Sequence, residues 1–153
     1  MKAVLQRISC ATVYADGELS GSVGKGLYIL LGVMRGDTRR DAEALAEKIA
    51  KLRIFCDEND KMNLSVTDVD GEVMVVSNFT LGANYAKGNR PDYFSSEAPA
   101  LAEELYEYFI ELMSTKVKRV ATGKFGADMK TEMTTDGPVT IVMESEVLLG
   151  GKK

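Results

Sequence analysis

The sequence predicts a mixed α/β fold, a single domain of curved, barrel-like β-sheets with helices packed on the outside. Three observations predict it. About eight short stretches of β-branched or alternating apolar residues follow one another, and tight-turn pairs such as Asp16-Gly17 and Asp70-Gly71 join several of them. Only two segments repeat apolar residues at helical spacing. The chain has 153 residues, 45% of them hydrophobic, enough for one domain over 1–153 whose core needs neither disulfides nor metal.

Val4 to Tyr14 reads as the first strand, Asp16-Gly17 turns it, and Glu18 to Val23 returns. Lys25-Gly26 is a second turn. Leu27 to Val33 is almost wholly apolar, the mark of a strand buried on both faces. Asp37-Thr38 opens a helix, with Thr38 and Asp41 as a weak capping box. Its apolar face is Ala42, Leu45, Ala46, Ile49 and Leu52. Leu52 to Cys56 returns to strand, and Asp57 to Lys61 is a polar loop. Asn63 to Val66 and Glu72 to Phe79 are strands flanking Asp70-Gly71. Leu81 to Ser96 is a long loop, a kind of segment that often carries function in a compact domain. Ser96 caps a second helix, with Leu101, Leu105, Tyr108, Phe109 and Leu112 inward and Glu103, Glu104, Glu107 and Glu111 outward. Val117 to Thr122 reads as strand, Gly123 to Gly126 as turn, and Ala127 to Thr134 as an alternating strand. Asp136-Gly137-Pro138 is a turn before a final strand, Val139 to Met143. The tail from about residue 146, ending Gly150-Gly151-Lys152-Lys153, is expected to fray.

Composition narrows the chemistry. There is no histidine, so a Ser-His-Asp triad, a Cys-His dyad and a His-ligated zinc site are excluded within the chain. No cofactor motif is present. The formal net charge is −4 and the isoelectric point about 5.0, so any RNA contact should be local rather than spread along a backbone. Cys10 and Cys56 fit a reducing compartment, and their apolar neighbours suggest two small buried side chains. Met1 to Arg7 has no apolar signal region, and Leu27 to Met34 is far too short to span a bilayer. These features place the protein in the cytoplasm, away from membranes.

Four constellations are candidates for chemistry. Ser77-Asn78-Phe79-Thr80-Leu81 ends an apolar strand where it enters the long loop. Ser77 or Thr80 is a possible nucleophile there and the backbone N–H groups a possible oxyanion hole; the same residues also suit a strand end satisfying its own backbone. Asp136-Gly137-Pro138-Val139-Thr140 holds an X-Pro bond beside a glycine, and on frequency alone that bond is trans. Thr122 to Met129 puts Phe125 between two glycines, as a pocket wall or a core ring. Lys87-Gly88-Asn89-Arg90-Pro91-Asp92-Tyr93 is a basic loop with an aromatic, either a phosphate or terminal-base contact or a plain charged surface.

Taken in order, these blocks resemble the D-aminoacyl-tRNA deacylases nearly end to end. Met1 to Arg7, Gly32-Val33 with Gly36-Asp37-Thr38, Leu52-Arg53-Ile54-Phe55 and Lys61-Met62-Asn63-Leu64-Ser65 are similar to family blocks. So are Ser77 to Leu81, Phe125-Gly126-Ala127-Asp128-Met129 and Asp136 to Thr140. The resemblance implies a homodimer with active sites at its interface. Ser77, Asn78, Phe79 and Thr80 form the pocket floor, and Phe79 and Thr80 offer main-chain N–H groups to the ester carbonyl. Phe125 and Met129 help bind substrate. Gly137 and Pro138, held cis and inserted by the partner, reject L-aminoacyl groups. The implied substrate is D-aminoacyl-tRNA, read at its 3′-terminal adenosine and aminoacyl group, with mischarged glycyl-tRNA a further one. The family's Gln is Asn78 here, and its Asn two positions before the glycine is Thr135.

Without histidine the usual general base is missing. Thr80 as covalent nucleophile lacks an evident activating partner. The reading preferred on these residues is hydrolysis assisted by the substrate's vicinal ribose hydroxyl, with backbone N–H groups stabilising the oxyanion. A non-catalytic nucleic-acid-binding module and a hydrolase of another ester are the rival readings.

Overall fold

The computed structural model describes residues 1–151. Its elements run β1 (Lys2–Ala15), β2 (Glu18–Val23), β3 (Gly26–Gly32), α1 (Arg39–Lys51), β4 (Phe55–Cys56), β5 (Met62–Leu64) and β6 (Glu72–Ser77). A 3-10 turn (Phe79–Gly82), α2 (Pro99–Ser114), β7 (Val120–Thr122), β8 (Met129–Glu144) and α3 (Ser145–Leu148) follow. The main sheet has the order β2-β1-β3-β6-β7, with β8 also paired to β1. β1 is antiparallel to β2, β3 and β8, whereas β3-β6 and β6-β7 are parallel. The two ends of the order approach each other: the Ser20 hydroxyl donates to the Thr122 carbonyl at 2.8 Å, curling the sheet toward a barrel.

Alternation along β1 buries Ala3, Leu5, Ala11 and Val13, and β3 is buried along almost its whole length, as its unbroken apolar run predicts. One core lies between sheet and helices, where Leu5, Ile29 and Val75 meet Leu45, Ile49, Leu105 and Phe109. A second cluster, Ile8, Val13, Val23, Tyr28, Met74 and Val76, fills the curl of the sheet. Helix α1 begins as expected at Thr38, whose N–H donates to Asp41 Oδ2 at 2.8 Å. No helix among the described residues is long and apolar enough to cross a membrane.

The structure corrects several expectations. Helix α2 is capped at Ala98 with Pro99 in its first turn, not at Ser96, because the Ser96 hydroxyl is committed to the Phe79 carbonyl at 2.7 Å. Its inward face is Ala102, Leu105, Tyr106, Phe109 and Met113. Leu101 is exposed, and Tyr108 reaches Glu43 across the α1–α2 contact. Leu52 to Cys56 keeps only two residues of strand, β4. Cys10 and Cys56 are exposed, Cys10 because β1 changes register against β8 between Ile8 and Cys10. The last strand is not preceded by a turn: β8 runs unbroken through Gly137-Pro138. Instead Gln6 pairs with Thr140 and Ile8 with Thr135, so residues 136–139 bulge out opposite the single residue Arg7. The tail opens with α3, since Ser145 is buried and its hydroxyl donates to Asp41 Oδ1 at 2.7 Å. Lys152 and Lys153 lie outside the described residues.

The start of β6 carries a titratable anchor. Glu72 accepts the Gly24 N–H at 2.9 Å and pairs with Arg119 at 3.2 Å. The Gly24 bond first, and Arg119 after it, hold its carboxyl below the ordinary value of 4.5. A lowered native pKa means this contribution to stability is complete above 4.5 and is lost as pH falls through the lowered value. Urea denaturation of Glu72→Gln is expected to show a shallower decline below pH 4.5 than the parent chain. Parallel declines would remove Glu72 from the acid response.

Candidate active site

Parallel pairing of β3 and β6 places the carboxyl end of β6 at a sheet rim, where ligands commonly bind in sheets of parallel strands. The Asn78 N–H donates to the Leu31 carbonyl at 2.8 Å, carrying the pairing one residue past Ser77. The chain then breaks into the 3-10 turn. Asn78 causes the break: its Oδ1 accepts the Thr80 N–H at 3.2 Å and also the Thr80 hydroxyl. The Phe79 N–H, at the mouth of this turn, has no partner among the described residues.

The long loop clamps the turn from outside. The Ser96 hydroxyl donates to the Phe79 carbonyl at 2.7 Å and the Ser95 hydroxyl to the Gly82 carbonyl at 2.6 Å. The Tyr93 ring meets Phe79 edge-on, centroids 5.1 Å apart. The turn is thus held at its first and last carbonyls, while the Thr80 and Leu81 N–H groups bond back to Asn78.

The turn faces a cleft of about 960 Å³, the size of a small-ligand site. Ser77, Asn78, Phe79 and Thr80 form one side. Phe125 and Met129 stand on the wall, so the structure brings six of the eight residues singled out from sequence into one cleft. Gly137 and Pro138 are not among its lining residues. They sit in the exposed β8 bulge, and their peptide bond is cis.

Arg7 holds that bulge from beneath. Its guanidinium donates through Nε to the Asp136 carbonyl at 3.1 Å and through Nη1 to the Ile54 carbonyl at 2.8 Å. Asp136 Oδ2 lies 3.2 Å from Nε. Arg7 is nearly buried, while the Asp136 side chain is half exposed, so the carbonyl bonds hold the bulge more firmly than the ion pair does.

Sequence reading missed Tyr28, Tyr106 and Ser96. The Tyr106 hydroxyl donates to the Val75 carbonyl at 3.0 Å, and its ring packs against Phe125 at 5.8 Å. The Tyr28 hydroxyl bonds Thr131 at 2.8 Å. Burial pushes both phenols up, so they remain protonated and serve as neutral wall groups rather than bases. The 102, 105, 106, 109, 113 spacing was a signal for Tyr106, since it is the cleaner helical stripe.

The arrangement has a definite chemical character. Thr80 gives its proton to an amide oxygen, a very weak base, so nothing in the turn activates the hydroxyl as a nucleophile. A backbone N–H at the mouth of a rigid turn suits a developing oxyanion. The cleft offers positioning and charge stabilisation without a side-chain nucleophile–base pair.

Comparison with known proteins agrees with this fold. The family model described as D-Tyr-tRNA(Tyr) deacylase matches residues 4–144. A D-aminoacyl-tRNA deacylase of Haemophilus influenzae (strain 86-028NP) is 53% identical over 140 residues, spanning 92% of this chain and 96% of that protein. Another, from Geobacter metallireducens, is 50% identical over 151 residues, covering 99% and 100%. Among solved structures, a c-Myc DNA Unwinding Element Binding Protein superposes with a TM-score of 0.88 at 39% identity, covering 94% of this chain and 98% of that one. A structure titled as a probable eukaryotic D-amino acid tRNA deacylase has a TM-score of 0.81 at 15% identity, a likeness of fold alone. With a family model matched over residues 4–144 and relatives of 50% and 53% identity over most of both chains, this chain belongs to the D-Tyr-tRNA(Tyr) deacylase family.

Proposed function

We propose that the protein hydrolyses the ester joining a D-amino acid to the 3′-terminal adenosine of tRNA, a proofreading step carried out in the cytoplasm. Water adds to the acyl carbon, the carbon–oxygen bond to the ribose breaks, and the ribose oxygen takes the proton. D-amino acid and free tRNA leave. The carrying observation is the Asn78–Thr80 turn beside the cleft, which leaves the Phe79 N–H without a partner among the described residues while tying up the Thr80 hydroxyl. The Phe79 N–H stabilises the oxyanion, and the Thr80 N–H joins it when Asn78 yields. The substrate's own 2′-hydroxyl orients the water and relays its proton, accepting it while passing its own to the departing 3′-oxygen. Asn78, one methylene shorter than the family Gln, acts here by shaping the turn.

The working unit in this reading is a homodimer. Two features support it: Gly137 and Pro138 do not line their own chain's cleft, and β8 leaves Met133 and Val142 exposed. A Gly-Pro pair from the partner, entering opposite the turn, tests the Cα configuration with main-chain atoms and leaves the side chain in solvent. Such a filter excludes L side chains sterically and passes many D side chains. It also passes glycyl-tRNA, which has no side chain to exclude.

Matched D- and L-tyrosyl-tRNA deacylation tests the reading. Turnover of the D form alone is the expected result. Binding without turnover favours a non-catalytic nucleic-acid module, a reading that the named DNA-binding neighbour keeps open. Neither binding nor turnover points to a different ester.

Thr80→Ala separates the two mechanisms. Losing one hydrogen bond that shapes the turn is expected to lower kcat about tenfold or less. A loss on the order of a million-fold, together with a trapped acyl-enzyme, would instead make Thr80 the nucleophile.

A further inference from the structure

The loop beside the cleft carries features that hydrolysis of the terminal ester does not use. Asn84 and Asp92 exchange backbone hydrogen bonds of 2.8 and 3.0 Å, closing residues 85–91 into a rigid-necked tip. Two large rings stand out from it and its neck, Tyr85 at 80% and Phe94 at 76% exposure. Neither has a ring partner among the described residues. Between them come Lys87 and Arg90, which are exposed and make no ion pair among the described residues. The loop's one carboxylate, Asp92, is turned inward to the Asn84 amide at 3.1 Å and the Phe94 N–H at 3.3 Å. The tip is therefore a cationic, aromatic surface on a protein of net charge −4. It adjoins the cleft directly, since Tyr93, next to Phe94, meets the Phe79 ring edge-on. The acidic outer face of α2 repels phosphate, leaving the tip as the favoured approach.

We propose that this tip seats the unpaired nucleotides just before the terminal adenosine of the tRNA, with bases stacked on Tyr85 and Phe94 and phosphates met by Lys87 and Arg90. The inference rests on the deacylase reading and adds a second contact to it. Exposed rings beside unpaired cations are the recurrent means of holding single-stranded nucleic acid without sequence preference.

The test compares D-tyrosyl-tRNA with D-tyrosyl-adenosine, which carries the ester but lacks those nucleotides. Tyr85→Ala and Phe94→Ala are each expected to lower kcat/KM on the tRNA about tenfold, through KM, and to leave the adenosine ester unchanged. Lys87→Ala/Arg90→Ala should flatten the slope of log affinity for tRNA against log salt by about 1.4, the share of two single-strand phosphates. Equal rates and slopes for parent and variants on the tRNA overturn the tip assignment alone. A parent that cleaves neither substrate overturns the deacylase reading and this one with it. Cross-links joining Tyr85 to a second copy of the chain would make the tip a protein interface and overturn the assignment as well.

Discussion

Arg7→Ala is expected to lower kcat/KM on D-tyrosyl-tRNA about 100-fold, the scale on which a displacement near 1 Å of a positioning group is felt. One nearly buried guanidinium stands where β1 offers a single residue against four of β8. It bonds the carbonyls of Ile54 and Asp136, and a Cβ on Gly137 would lie only 3.3 Å from its Nη2. Removing it leaves the Ile54 carbonyl without that donor and frees residues 136–139 to shift. On the proposed reading those residues judge configuration in the partner's cleft, so the ratio of D to L turnover falls along with the rate. Arg7→Lys keeps the charge but replaces a planar fork by a point donor, and should recover only part of the loss. Melting curves separate a misplaced bulge from a general loss of fold. A folded Arg7→Ala protein with the parental rate and D/L ratio would show that the bulge does not depend on this anchor.

Gly26→Ala is expected to destabilise the protein by about 3 kcal/mol or more. A Cβ there would lie 1.7 Å from the Glu72 carbonyl oxygen, a backbone atom that cannot rotate aside. Relief requires β3 and β6 to separate at Gly26–Glu72, the first pair of the ladder that ends beneath Ser77. For a domain of this size the loss corresponds to a melting point lower by roughly 6–12 °C. Gly24→Ala is the control. Its nearest contact is the end of the Glu72 side chain at 3.2 Å rather than backbone, so a loss well below that of Gly26→Ala is expected. Calorimetry on both variants decides the matter, and a Gly26→Ala protein melting with its parent would contradict so close an approach of the strands.

Much of this architecture is legible in the residues themselves. The apolar run of Leu27 to Val33 announces a doubly buried strand, and Thr38 with Asp41 announces the start of α1, because both signals are local. The clustering of Ser77 to Thr80 with Phe125 and Met129 is legible at one remove, through motif resemblance. What stays hidden depends on partners distant in sequence. Gly137-Pro138 looks like a hairpin turn until Arg7 and the register of β1 are known. Ser96 looks like a helix cap because Ser is a good one; its real acceptor, the Phe79 carbonyl, lies 17 residues back. Tyr106 and Tyr108 are both consistent with an apolar face, and only the contact with β6 decides between them. The cysteines look buried from their neighbours, yet Cys10 follows a register change that turns it outward.

The crossed pair of backbone bonds between Asn84 and Asp92 has an engineering consequence. They fasten the base of the seven-residue segment 85–91, while Ser95 and Ser96 hold the Phe79–Gly82 turn independently. Length and composition of that segment can therefore drift, or be exchanged by grafting, without disturbing the machinery below. On the readings proposed above, recognition at the tip and reaction at the turn are separately evolvable.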